Sequence, residues 1–114
     1  MKVFIYHRID SSSPNDMDRE LMNCHLSCLK KVAERHGHTV VGMFHDFANG
    51  LSLERPGLGF LLDAVDGRSA EGVVVKDFSR IGRDGFTAEQ IQRRLRSAGC
   101  RVFVEGDFRR KGCD

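Results

Sequence analysis

Along the chain, the spacing of hydrophobic residues switches between the pattern typical of strands and the pattern typical of helices, which predicts that strands and helices alternate. Four short apolar or alternating runs predict strands, and they cover Val3–His7, Thr39–Phe44, Gly72–Phe78 and Arg101–Glu105. The third run holds three consecutive valines. Such a run is typical of a strand buried on both faces at the centre of a parallel sheet.

Between these runs, apolar residues recur at helical spacing. Helices are expected in three segments, which run from Ser13 to about His36, from Leu58 to Val65 and from Thr87 to Gly99. Ser13 is expected to be the N-cap of the first helix, with Pro14 as its first residue and Gly37 as the left-handed residue after its end. The segment from His45 to Pro56 is rich in polar residues and glycine, and a mobile loop is expected there.

This alternation favours a single α/β domain with a mainly parallel four-stranded sheet and helices on both faces. A chain of 114 residues suits one core. Residues 1–107 are expected to form the domain and residues 108–114 a basic tail. That tail would either touch phosphates without reading sequence or remain a solvated end.

Composition excludes some classes of protein and leaves others open. The net charge of +2 does not indicate nucleic acid by itself, so any such argument depends on local clusters. No apolar run approaches the length of about 20 residues that spans a bilayer, and the first run is too short for a signal peptide. A cytoplasmic protein without a membrane partner is expected. The four cysteines are interpreted as packed thiols, with no metal site.

Arginines follow two of the predicted strands. Arg8 comes directly after the first strand, while Arg80 and Arg83 follow the third. The carboxyl ends of parallel strands lie at one edge of the sheet, where such sheets bind ligands. Guanidinium groups are permanently charged and bind oxyanions in a bidentate manner. The sequence therefore predicts a phosphate site at this edge.

The order of these motifs resembles the catalytic domain of the serine site-specific recombinases, the resolvase/invertase family. The resemblance rests on four motifs in family order, which are Tyr6 to Ser11, Asp46, Arg55-Pro56-Gly57-Leu58 and Lys76 to Asp84. It implies the sheet order 2-1-3-4 and DNA strand exchange through a serine–5′-phosphate intermediate, which needs no cofactor. The implied partners are DNA and other recombinase protomers, in a homo- or hetero-oligomer.

The resemblance also assigns roles to single residues. The active-site arginines of the family match Arg8, Arg80 and Arg83, and a further phosphate-binding arginine matches Arg55. The remaining matches to residues at or near the phosphate site are Tyr6, Asp46, Asn49 and Ser79. Asn49 stands where the family commonly has a second serine, and Ser79 stands where many members have aspartate.

The main departure is Asp10, which occupies the position of the nucleophilic serine. A carboxylate attacks phosphate poorly and repels it, so Asp10 is expected to accept hydrogen bonds from Arg8, or from Arg80 and Arg83, in place of the phosphate. Ser11 could replace the nucleophile only if the strand has already ended, because successive strand residues face opposite sides. Two hypotheses remain: an active or residual recombinase domain, and a catalytically inactive relative that acts through protein or DNA contacts.

Overall fold

The computed structural model describes residues 1–11, 13–47, 55–81 and 85–107, with the side chains of 85–87 excepted. Within these residues, four strands alternate with three helices and one short 3-10 helix, and residues 105–107 after the last strand are helical. In chain order the elements are β1 Lys2–Ile9, α1 Asp16–Arg35, β2 Thr39–Phe47, α2 Pro56–Asp66, β3 Gly72–Val75, the 3-10 helix Phe78–Arg80, α3 Gly85–Ser97 and β4 Arg101–Val104.

The four strands form one parallel sheet in the order β2-β1-β3-β4. This confirms the parallel α/β architecture that the alternation of strands and helices predicted and the sheet order that the family resemblance implied. β1 lies at the centre, where Phe4 is paired with Val73 of β3 and Arg8 with Asp46 of β2. Because every strand runs in the same direction, their carboxyl ends share one edge of the sheet.

Helices cover both faces of this sheet. On one face, α1 contributes a buried stripe of four residues, Met22, Leu26, Leu29 and Ala33, as the helical spacing predicted. These residues pack against β1 and β3 through Val3, Ile5 and Val74. On the other face, α2 and α3 pack against the alternate strand residues through Leu58, Leu61, Val65 and Leu95. The two apolar layers hold the carboxyl edge of the sheet in place.

Three strand ends differ from the sequence prediction by two residues or more. β1 continues to Ile9 and β2 to Phe47, because the two strands stay paired through polar residues that periodicity alone interprets as a loop. Asp46 therefore lies inside a strand, and Pro56, the last residue of the predicted loop, is the first residue of α2. Residues 48–54 of that loop lie outside the described residues. β3 ends early at Val75, because the Asp77 side chain accepts a hydrogen bond from the Ser79 amide at 3.0 Å and starts the 3-10 helix.

The first helix begins two residues later than its sequence suggested. Its N-cap is Asn15 instead of Ser13, since Asn15 Oδ1 accepts from the Asp18 amide at 2.8 Å. The Asp18 carboxylate accepts from the Asn15 amide in return at 3.1 Å and completes a capping box. Gly37 has a φ of 84°, the left-handed conformation expected after the helix.

The three cysteines that the structure describes are only partly packed, and Cys113 lies outside the described residues. Cys100 is buried, whereas Cys24 and Cys28 are exposed on α1, so the interpretation of packed thiols is wrong for these two. Their apolar character does not bury them, because they lie beside the stripe that contacts the sheet. In the part of the chain that the structure describes, no helix has the length and apolar character needed to cross a membrane.

Candidate active site

The centre of the candidate site is the carboxyl half of β1. Tyr6 and Arg8 point to the same face of the sheet, because strand side chains alternate. Arg8 is only 2% exposed, which is rare for an arginine. A buried guanidinium needs partners that replace water, and those partners define the site.

One partner of Arg8 is Asp10, the residue directly beyond the end of β1. Arg8 Nη1 donates to Asp10 Oδ1 in an ion pair. The Asp10 side chain is 45% exposed, so the carboxylate lies at the rim and the arginine beneath it. Burial lowers the pKa of Arg8, whereas the Asp10 charge raises it. Asp10 thus accepts a hydrogen bond from Arg8, one of the donors that the sequence analysis expected for it.

The second partner of Arg8 is the turn after β3, which consists of Phe78 to Ile81. Arg8 Nη2 donates to the Ser79 carbonyl oxygen at 2.6 Å. In return, Arg80 Nη1 donates to the Arg8 carbonyl oxygen at 3.2 Å, and Arg80 Nε lies 3.7 Å from Asp77 Oδ2. Burial raises the pKa of Asp77, but the hydrogen bond from Ser79 and the Arg80 charge outweigh it, so that pKa is lowered. These bonds hold Arg8 and Arg80 at the same edge.

Arg55 lies directly before α2, and it is 6% exposed. Its Nη1 donates to the Ile81 carbonyl, and its Nη2 donates to the Arg80 carbonyl at 2.6 Å and to Tyr6 Oη at 2.7 Å. Its guanidinium carbon lies 5.5 Å from the centre of the Tyr6 ring. Arg55 is therefore joined to the site, but through protein oxygens.

Tyr6 and Asp46 link β1 and β2 to the start of α2. Tyr6 Oη donates to Asp46 Oδ2 at 2.6 Å, while the amides of Gly57 and Leu58 donate to the same carboxylate at 2.7 and 2.9 Å. Burial raises the pKa of Tyr6, and the nearby Arg55 charge lowers it, with burial dominant. Tyr6 therefore stays protonated and donates. The close approach requires glycine at position 57, since a Cβ there would lie 2.0 Å from the His45 carbonyl oxygen.

The side-chain hydroxyl groups of two candidate serines donate hydrogen bonds to aspartates. Ser11 follows the end of β1, and its Oγ donates to Asp18 Oδ2 on α1 at 3.1 Å. Because β1 ends at Ile9, the condition stated for Ser11 to replace the nucleophile, that the strand has already ended, is met. Ser79 Oγ donates to Asp77 Oδ1, so this side chain shapes the turn after β3.

The structure brings most of the candidate residues into one connected hydrogen-bond network. Its members are Tyr6, Arg8, Asp10, Asp46, Arg55, Ser79 and Arg80. Ser11 lies next to the network. Asn49 and Arg83, like the tail 108–114, lie outside the described residues. Among the residues that the structure does describe, no three histidine, cysteine or acidic side chains are grouped to hold a metal ion.

Sequence reasoning missed a histidine pair on the other face of β1. His7 Nε2 and His25 Nδ1 of α1 are 2.6 Å apart. His7 is 0% exposed, and its Nδ1 has no hydrogen-bond partner among the described residues. Burial, followed by the charges of His25 and Arg80, lowers the pKa of His7 to about 3. The available signal was the alternation of β1, which places His7 opposite Tyr6 and Arg8.

Comparisons with known proteins agree on one kind of domain. Residues 3–111 match the family model described as the N-terminal domain of resolvase. A search of the curated proteins found no significant match. The C-terminal catalytic domain of ISC1926 TnpA, an IS607-like serine recombinase, is 30% identical with a TM-score of 0.81, and the match covers 92% of this chain and 70% of that one.

Two further solved structures share the fold at lower identity. The N-terminal catalytic domain of TP901-1 integrase is 20% identical with a TM-score of 0.79, and 94% of this chain and 78% of that chain are covered. A serine recombinase from Sulfolobus solfataricus is 22% identical with a TM-score of 0.73, with coverages of 90% and 66%.

Proposed function

Because the chain belongs to the serine recombinase family, which its match to the resolvase N-terminal domain shows, we propose that it binds DNA phosphates at the carboxyl edge of its sheet without forming a covalent bond to DNA. The ligands for phosphate are Arg8 and Arg80. The protein then acts as a catalytically inactive member, through contacts with DNA and with other recombinase protomers.

The observation that carries this proposal is the ion pair between Arg8 and Asp10. A serine hydroxyl forms a phosphodiester with DNA, and that bond retains the energy needed for religation. A carboxylate would instead form a mixed anhydride, which water hydrolyses, and its charge repels the phosphate beforehand. Asp10 thus provides an anion for Arg8 and supplies no useful nucleophile.

A comparison of Asp10→Asn and Asp10→Ser with the parent tests this role. Both variants remove the negative charge, so each is expected to bind a short DNA duplex and inorganic phosphate about tenfold more tightly. The difference should shrink as salt concentration rises. Asp16→Asn is the matched control, because Asp16 is an exposed carboxylate on α1 that pairs with Arg19. If neither Asp10 variant binds more tightly than this control, Asp10 does not stand in for phosphate.

The same variants also test the missing nucleophile. The parent and Asp10→Asn are expected to form no denaturation-resistant adduct with a nicked suicide duplex. Removal of the partially exposed ion pair should also lower the free energy of unfolding at pH 7 by about 1 kcal/mol. Both quantities can be measured on one preparation.

Ser11 offers a second candidate function, in which the domain remains active. The observation in its favour is the 3.1 Å contact from Ser11 Oγ to Asp18 Oδ2, because a carboxylate at that distance can accept the hydroxyl proton. On this alternative, the parent forms an adduct that mass spectrometry places on Ser11, and Ser11→Ala abolishes it. Such an adduct would overturn the proposal of an inactive domain.

A further inference from the structure

We propose that Arg55 is a positioning residue, which sets Arg80 at the phosphate edge by holding the backbone that carries it. The inference rests on the proposed function, since it takes Arg80 as a phosphate ligand. It differs from the role that the family resemblance gives to Arg55, which is direct contact with phosphate.

The contacts of the Arg55 guanidinium are the first argument. Nη2 uses both of its N–H groups inside the protein, for the Arg80 carbonyl and Tyr6 Oη, and Nη1 donates to the Ile81 carbonyl. The side chain is buried, and its Nε has no partner among the described residues. Three of the five N–H groups are thus used inside the protein, and a phosphate could accept from Nη2 only if its two bonds broke, which would leave a carbonyl and a hydroxyl without this donor.

The turn after β3 gives the second argument. Three successive carbonyl oxygens of this turn accept hydrogen bonds from arginine side chains, those of Ser79, Arg80 and Ile81. Arg8 holds the first and Arg55 holds the other two. The direction of the backbone at Arg80 is therefore fixed from the α2 side. With this direction fixed, the Arg80 side chain reaches the Arg8 carbonyl at the end of β1.

Arg55 can impose this geometry because it is itself anchored. Tyr6 accepts a bond from Arg55 and donates to Asp46, and Asp46 accepts the amides of Gly57 and Leu58 at the start of α2. The chain of bonds thus runs from a helix terminus, through a buried tyrosine, to the turn. A lysine at position 55 keeps the charge but lacks the planar fork, so it cannot hold two neighbouring carbonyls in the same way.

A double-mutant cycle tests this inference with Arg55→Lys, Arg80→Gln and the double variant. The readout is affinity for a short DNA duplex as a function of salt, because each lost phosphate contact reduces the logarithmic salt slope by about 0.9. Arg80→Gln is expected to lower affinity about tenfold and Arg55→Lys by a similar factor, while the double variant loses little more. Arg19→Lys on α1 is the matched control and should leave affinity unchanged.

The outcomes separate the inference from the proposed function. If Arg80→Gln binds as tightly as the parent, the proposed phosphate site is wrong. If Arg80→Gln weakens binding but Arg55→Lys has no effect, or the losses multiply to about a hundredfold, Arg55 does not position Arg80. If Arg55 contacts phosphate directly, adding Arg55→Gln to the Arg80→Gln variant should reduce its logarithmic salt slope further, by about 0.9.

Hydrogen exchange supplies an independent readout in the same proteins. The Ile81 amide donates to the Phe78 carbonyl within the turn, and its exchange should accelerate in Arg55→Lys while α1 amides remain unchanged. If Arg55→Lys does not fold, Tyr6→Phe replaces it in the cycle, because it removes the hydroxyl that anchors Arg55 and leaves Arg80 untouched. Equal protection of Ile81 in the parent and in the folded variant would overturn the inference.

Discussion

Acidification from pH 7 to pH 5 should destabilise the protein through His7, which is buried on the α1 face of β1. Burial is the main reason why the pKa of His7 falls to about 3 from its ordinary value of 6.5. The charges of His25, Arg80 and Lys76 lower it further, and Asp77 raises it. His7 therefore stays neutral in the folded protein at a pH where the unfolded chain becomes protonated.

The sign and size follow from this difference in proton binding. Between pH 3 and pH 6.5 the unfolded state binds more protons at this site, so stability rises with pH and is lost as pH falls below 6.5. From pH 7 to pH 5, His7 alone should lower the free energy of unfolding by about 2 kcal/mol. The pKa of His25 is also lowered by burial and by the Lys76 charge, and it contributes in the same direction.

The assay is urea denaturation at pH 7 and at pH 5 for the parent, His7→Gln and His45→Gln. Glutamine cannot be protonated in this range, so His7→Gln should lose about 2 kcal/mol less stability than the parent over the same pH change. His45 is exposed on β2, which makes its variant the control for the loss of a histidine. If His7→Gln shows the same pH dependence as the parent, His7 is not held neutral by the fold.

Two pairs of substitutions test the structure around the site and the first helix by chemical denaturation. Gly57→Ala should destabilise by about 3 kcal/mol, because the new Cβ would meet the His45 carbonyl oxygen at 2.0 Å. Gly59→Ala, with nothing within 4 Å of its Cβ, should stabilise instead by about 0.5 kcal/mol; an equal effect at both positions would contradict the close packing. Asn15→Ala should lower the free energy of unfolding by about 1 kcal/mol, and Ser13→Ala should leave it almost unchanged. A larger loss for Ser13→Ala than for Asn15→Ala would show that Ser13 is the N-cap.

The architecture of the protein could be predicted from the hydrophobic periodicity of its sequence. The central valine run of β3, the stripe on α1 and the alternation of strands with helices each report on burial, and burial is a local property of the residue pattern. Together with the resemblance to the family, these patterns were sufficient to predict a parallel sheet in the order β2-β1-β3-β4. The same pattern placed Arg8 and Arg80 at one edge, because strand direction fixes where strand ends lie.

Element ends were less predictable, since they depend on single hydrogen bonds. Periodicity does not distinguish Ser13 from Asn15 as a cap, because the deciding contact is a reciprocal one with Asp18. The extension of β2 to Phe47 depends on pairing with β1, a neighbour that is distant in sequence. The prediction of a loop was wrong for His45 to Phe47 for this reason.

Only the tertiary structure decided what each charged side chain bonds. Arg8, Arg55 and Arg80 are alike in sequence, yet Arg8 meets a carboxylate, Arg55 is buried among carbonyls and Arg80 lies half-buried against β1. The pairing of His7 with His25 likewise joins residues from two elements. Hydrogen bonds and desolvation act over a few ångströms between distant parts of the chain. A one-dimensional pattern therefore brings such residues to the same edge but does not assign their partners.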